Sequence, residues 1–228
     1  MLGRVTCGIA LGALVAGNAL AQVEVKPDDN WRAVLGAGLS YASGNSRSNT
    51  LSLTADAVKA STLDKWTLGG RYLRGKNNGS TSADQLLLTG RYDRDLNTDV
   101  FAFGQGDFLR DRMANLNARL SAGVGVGYHV IKAPQTTFDV FGGVGYTYDD
   151  YQVATVVADR TRDTYGSANL LLGEESTHKL SDTTAFRQRL VLYPNLRDTG
   201  EFRGTFDAGL AVAINKRFSL TATLGYRY

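Results

Sequence analysis

From Trp31 to the last residue, apolar positions recur at every second place, and no stretch shows the three-to-four spacing of a helix. Between Leu116 and Val130, Leu116, Ala118, Leu120, Ala122, Val124, Val126, Tyr128 and Val130 fall on one face. Asn117, Arg119, Ser121, Gly123, Gly125, Gly127 and His129 fall on the other. Phe138, Val140, Val144, Tyr146 and Tyr148 oppose Asp139, Gly143, Gly145, Thr147 and Asp149 in the next segment, and Phe218 to Tyr228 closes the chain in the same way. About eleven such segments of roughly 10 to 15 residues follow one another, longer than soluble strands and matching tilted membrane-crossing ones. The expected fold is all-β, an antiparallel up-and-down transmembrane β-barrel of about 10 to 12 strands.

The connections alternate in kind. Short ones are expected at Thr62–Asp64, Asn97–Thr98, Lys132–Thr136, Leu180–Asp182 and Asn215–Arg217. Longer polar ones are expected at Gly44–Ser48, Gly75–Ser82, Arg110–Asn115, Asp149–Asp163 and Asn195–Glu201, the pattern of periplasmic turns and outer loops. Pro27, Pro134 and Pro194 stand outside strands or at strand ends, where a missing N–H does little harm.

Alternation does not tell which face is wet, but the chemistry of the two faces does. The polar face carries Gly, Ser, Thr and Asn with Arg and Asp, while Lys65, Lys132, Lys179 and Lys216 gather at the short turns. Such a face suits a narrow lumen in which arginine forks lie against carboxylates. Aromatics of the apolar face sit near strand ends, as Phe138 does against Tyr146 and Tyr148. Eight to ten residues tilted by ~40° span roughly 20 to 26 Å, the height of a lipid-facing band between two aromatic girdles.

Composition excludes more than it suggests. Of 228 residues, 43% are hydrophobic and 21% charged, with 26 Gly and 3 Pro, so collagen-like and disordered chains are ruled out. One Cys and 2 His leave little for a zinc or thiolate centre. Arg4, the apolar stretch Gly8–Ala16 and Ala19-Leu20-Ala21 read as a secretory signal peptide over 1–21, removed with Cys7. A short periplasmic lead, 22–30, then precedes a barrel over 31–228. The formal net charge of +3 falls by one with Arg4, which gives no drive towards nucleic acid.

Four stretches carry a family resemblance: Ser43-Gly44-Asn45-Ser46 with Asn49-Thr50; Tyr92-Asp93-Arg94-Asp95-Leu96; Arg119 followed by Gly123-Val124-Gly125-Val126-Gly127-Tyr128; and Leu192-Tyr193-Pro194-Asn195. In this order the chain resembles the YdiY-like family of salt-induced outer-membrane proteins, whose domain is one of unknown function, over nearly all of Trp31–Tyr228. The resemblance implies a Gram-negative outer-membrane barrel and brings no catalytic residues. Family members usually continue through one more strand. Together with the odd count of about eleven, this leads to the expectation that a closing strand is absent or a hairpin is miscounted.

The charges expected to face the lumen are Arg71, Arg91, Asp93, Asp107, Arg119, Asp139, Arg187, Arg189, Arg203 and Asp207. They serve either a selective pore or an interior ion-pair network, with the network favoured. The Gly123, Gly125, Gly127 series is no nucleotide fingerprint, because its spacing is two and no helix follows. His129 and His178 stand near short turns without a Ser-Asp set beside them, so no catalytic residue is assigned. Asp149, Asp150, Asp159 and Asp163 offer hard oxygens for Ca²⁺, but Arg160 and Arg162 stand among them and a solvated loop is favoured. Arg110, Arg112, Arg160 and Arg162 are expected at the outer rim, facing lipopolysaccharide phosphates.

The expectation is therefore a non-enzymatic monomer of the outer membrane, an envelope component or narrow channel without cofactor or metal. Its partners are outer-membrane lipid and lipopolysaccharide, with periplasmic chaperones and the barrel-assembly machinery during export. The alternatives are a soluble periplasmic barrel or sandwich binding an apolar ligand, and an outer-membrane lipid hydrolase.

Overall fold

A computed structural model describes residues 27–42, 47–198, 200–214 and 219–228. The signal peptide expected at 1–21, the lead residues up to 26, the Ser43–Ser46 stretch and Phe218 lie outside the described residues.

Eleven strands follow in chain order: β1 (Trp31–Ala42), β2 (Ser48–Ala60), β3 (Asp64–Asn77), β4 (Ser80–Asp95), β5 (Val100–Asp111), β6 (Leu116–Lys132), β7 (Thr136–Val157), β8 (Arg160–Lys179), β9 (Thr184–Pro194), β10 (Phe202–Ala213) and β11 (Ser219–Arg227). Each pairs antiparallel with the next in one sheet of order β1 to β11. The sheet curls in the up-and-down manner of a barrel, and β1 and β11 form its two edges among the described residues. The one helical element described is a 3-10 turn, Arg112–Ala114, capped by the Asp111 carboxylate, which accepts from the Met113 and Ala114 N–H groups. No described helix is long and apolar enough to cross a membrane.

The two faces separate as their period requires. Outward on β1 stand Trp31, Ala33, Leu35, Ala37, Leu39 and Tyr41, with Leu35 at 81% and Leu39 at 82% exposure. Aromatics bracket this row. Ten steps of ~3.3 Å at a tilt near 40° cover about 25 Å, the height of a lipid-facing band. Trp66 and Tyr92, directly paired across β3 and β4 with ring centroids 4.5 Å apart, belong to the girdle at the short-turn end. Phe202 and Tyr228 stack at 4.9 Å at the other end.

Two expected loops are strands instead. The Gly75–Ser82 stretch continues β3 and β4 to a two-residue turn at Asn78 and Gly79, both with positive φ, the conformation of a tight hairpin turn. The Asp149–Asp163 stretch carries β7 to Val157 and starts β8 at Arg160, turning at Ala158 and Asp159, again with positive φ. These strands, 22 and 20 residues long, run on past the Tyr148↔Gly166 pair for six further residues of β8, about 20 Å at ~3.3 Å per residue. Both faces of such an extension meet water, so its sequence loses the alternation that marks the wall.

Leu116 also departs from expectation. A register shift between Leu116 and Ala118 sets Leu116 opposite Tyr151, on the inner face, where it is buried.

The core lies inside the curl. Phe101, Phe103, Phe141, Leu171 and Val191 form one buried cluster against which Tyr193 packs. The lumen glycines are sockets for these rings. Phe101 pairs with Gly127, Phe103 with Gly125 and Phe141 with Gly173 in the strand registers. A Cβ on Gly125 would stand 2.7 Å from the Phe103 ring and one on Gly173 2.5 Å from the Phe141 ring, so no larger residue fits while the rings stay.

Candidate functional site

The candidate site is the inner face, and its side chains reach across strands that do not pair. All ten charges expected in the lumen stand on this face, as the registers Arg71↔Thr54, Arg91↔Gln105, Asp93↔Phe103, Asp107↔Ser121, Arg119↔Asp149, His129↔Asp139, Glu175↔Arg189, Arg187↔Gly209, Arg203↔Tyr193 and Asp207↔Arg189 place them.

At the short-turn mouth, His129 stands between two carboxylates, with Nδ1 2.7 Å from Asp139 and Nε2 3.2 Å from Asp95. Its ring lies 4.8 Å from that of Phe101, and Lys132 donates to the other Asp95 oxygen at 2.8 Å. A cavity of about 490 Å³ opens there, lined by Lys65, Arg91, Asp93, His129, Lys132 and Glu175 among others. His178 sits on β8 near a short turn and stacks on Phe186 at 6.2 Å.

Midway, charge and aromatic surface interleave. The Arg91 guanidinium is 4.2 Å from the Phe103 centroid and 4.8 Å from that of Phe141, and it pairs with Asp93 at 2.8 Å. Arg189 also approaches the Phe141 ring, at 5.3 Å from its centroid. Glu175 accepts from Arg189 at 3.1 Å and also from Arg187, so one carboxylate serves two guanidiniums. Stacking leaves the edge donors of a guanidinium free for carboxylates while its face covers a ring, which lysine does not do.

Towards the other end, Arg119 grips Asp149 through two bonds of 2.6 and 2.7 Å, and the Tyr151 hydroxyl donates to the same carboxylate at 3.1 Å. Arg203 donates to the Thr147 hydroxyl at 2.7 Å, joining β10 to β7. Tyr165 donates to Asp198 at 2.6 Å and accepts from Asn195 at 2.6 Å. Asp149, one of the four acids considered for Ca²⁺, is thus held by arginine, and no group of three metal-ligating side chains occurs among the described residues.

The four rim arginines take different places. Arg110 and Arg112 each reach Asp84 at 3.4 Å. Arg160 is exposed at the tip of the β7–β8 hairpin. Arg162 is half-buried, its guanidinium 5.2 Å from the Tyr165 centroid.

Sequence reasoning missed the aromatic cluster. Phe101 and Phe103 alternate with Ala102 and Gly104, so either face of β5 could pass for the apolar one. The readable signal was the run of alternate glycines on β6 and β7, which leaves space that only large neighbours fill.

The chain is 26% identical over 189 residues to the uncharacterized protein YdiY of Escherichia coli (strain K12), covering 82% of this chain and 69% of that one. Among solved structures, a NanC porin aligns over 80% of this chain and 81% of its own, with 10% identity and a TM-score of 0.44. The family profile described as "Protein of unknown function, DUF481" matches residues 35–228, and the chain belongs to that family.

Proposed function

We propose that this protein is a non-enzymatic β-barrel of the Gram-negative outer membrane that forms a narrow, charge-lined channel. One observation carries the reading: the outward face is an apolar band bracketed by aromatics while the charges stand inside. A water-soluble barrel with Leu35 and Leu39 more than 80% exposed would meet the opposite demand, since large contiguous apolar surface drives soluble proteins to associate. The barrel works as a monomer, reaching its place by an N-terminal signal, periplasmic chaperones and the assembly machinery.

The interior is both scaffold and passage. The aromatic and aliphatic cluster of β5, β7, β8 and β9 stands within the lumen, and the cavity of about 490 Å³ opens the short-turn mouth. Protein refolded in detergent is expected to migrate as a compact band that heating shifts, and to give small conductance steps in planar bilayers. Refolded protein that gives no steps would leave a closed envelope component in place of a channel.

At the outer rim, Arg110 and Arg112 share Asp84 and so leave a positive charge in excess beside the lipid-facing band, where lipopolysaccharide phosphates lie. Arg160 and, against Tyr165, Arg162 extend the patch along the hairpin. Charge reversal at Arg112 and Arg160 is expected to weaken lipopolysaccharide binding in a co-sedimentation assay; unchanged binding removes this contact from the reading.

A further inference from the structure

We infer that the passage is selective for small anions carrying carboxylate or phosphate groups. This rests on the channel reading above and adds to it the class of solute.

The inner face carries acids and bases in similar number, so formal charge alone does not set a preference. Access to water does. Arg187 is 49% exposed while its partner Glu175 is 16% exposed, and Lys132 is 50% exposed while its partner Asp95 is 23% exposed. Arg119 and Asp149 follow the same order. Arg71 is exposed on the inner face of β3 and makes no ion pair or hydrogen bond among the described residues. The inner-face carboxylates Asp56, Asp107, Asp139 and Asp207 are all half-buried. Arg91 with Asp93, and His129 with Asp95 and Asp139, run the other way, so the bases that a solute meets are Arg71, Lys132 and Arg187 rather than the basic groups as a class.

Sharing strengthens the bias. Glu175 serves both Arg187 and Arg189, and Arg203 bonds the neutral Thr147 hydroxyl. Asp207 on β10 stands on the inner face beside Arg189, so acids remain close to the Arg187–Arg189 pair. Arg71 stands on another strand, β3, level with Thr54. Exposed guanidiniums on two strands of a narrow lumen, Arg71 on β3 and Arg187 on β9, offer planar donor forks that fit carboxylate and phosphate oxygens, and cationic linings select anions.

Reversal potentials of the full chain in planar bilayers under a potassium chloride gradient test this. Wild-type protein is expected to favour chloride over potassium. Arg71→Gln should cut the permeability ratio about two- to four-fold, as expected for one screened charge close to the ion path. Arg187→Gln should act in the same direction and Arg187→Lys should preserve the ratio. Because Arg71 holds no partner, its replacement tests selectivity with the fold intact. Equal or reversed ion preference, or an unchanged ratio in Arg71→Gln, overturns anion selectivity while leaving the channel in place; absence of any conductance overturns the channel and the selectivity together. Liposome swelling in succinate, phosphate and an uncharged pentose then separates the two anion classes, and fastest swelling in the pentose counts against both.

Discussion

Replacing Arg119 with Met is expected to lower the stability of the refolded barrel by about 3 to 5 kcal/mol, the cost of stranding a buried charge whose partner has gone. The reason is geometric. Asp149 is only 6% exposed and receives both Arg119 donors together with the Tyr151 hydroxyl. Without Arg119 the carboxylate keeps one neutral donor in a place that water scarcely reaches. Removing both members is another matter: Arg119→Met with Asp149→Leu leaves no charge to strand, and well-packed apolar pairs often replace buried ion pairs at little cost. Urea unfolding in detergent, followed by tryptophan fluorescence and by the heat-shifted band, reads both variants against the wild type. A double variant as weak as Arg119→Met would show that the pair fixes the β6–β7 geometry beyond its own charge balance.

That pair also shows what the sequence makes readable. Arg119 and Asp149 were placed on a common face by period alone, and the strand register sets them opposite each other. Alternation served wherever one face meets a different medium from the other, which is why eleven strands and their facing were legible along the wall. It failed at Gly75–Ser82 and Asp149–Asp163, where the strands run on into water and polar residues suit both faces. It failed again at Leu116, because a bulge consumes one residue and inverts the parity behind it. The interior was half legible. The charges announced themselves as polar positions, whereas Phe101, Phe103 and Phe141 hide among other apolar residues and are disclosed only by the glycines opposite them. Which polar groups meet across strands that do not pair depends on curvature, which brings His129 on β6 to Asp95 on β4 and Arg203 on β10 to Thr147 on β7. No spacing along the chain encodes that.

Which face is wet has the plainest consequence of all, and one substitution decides it. Val124 stands near the middle of β6, outward and 61% exposed, paired with Gly104 and Val144 in a row with Ala122 and Val126. If that face met water, Val124→Arg would be nearly neutral, as surface substitutions usually are within about 0.5 kcal/mol. Facing hydrocarbon near the midplane, the same change costs about 2 to 4 kcal/mol, because the guanidinium must shed water or drag it into lipid. The expected result is the larger figure for Val124→Arg in lipid vesicles. A second arginine placed near the girdle at Tyr148, two same-face steps beyond the Val124↔Val144 pair, should cost about 0 to 1 kcal/mol. This gradient with depth is what separates lipid contact from ordinary packing. A loss at Val124 caused by disturbed packing would not track distance from the girdles. Equal, small costs at both positions would place this face in water and end the membrane reading.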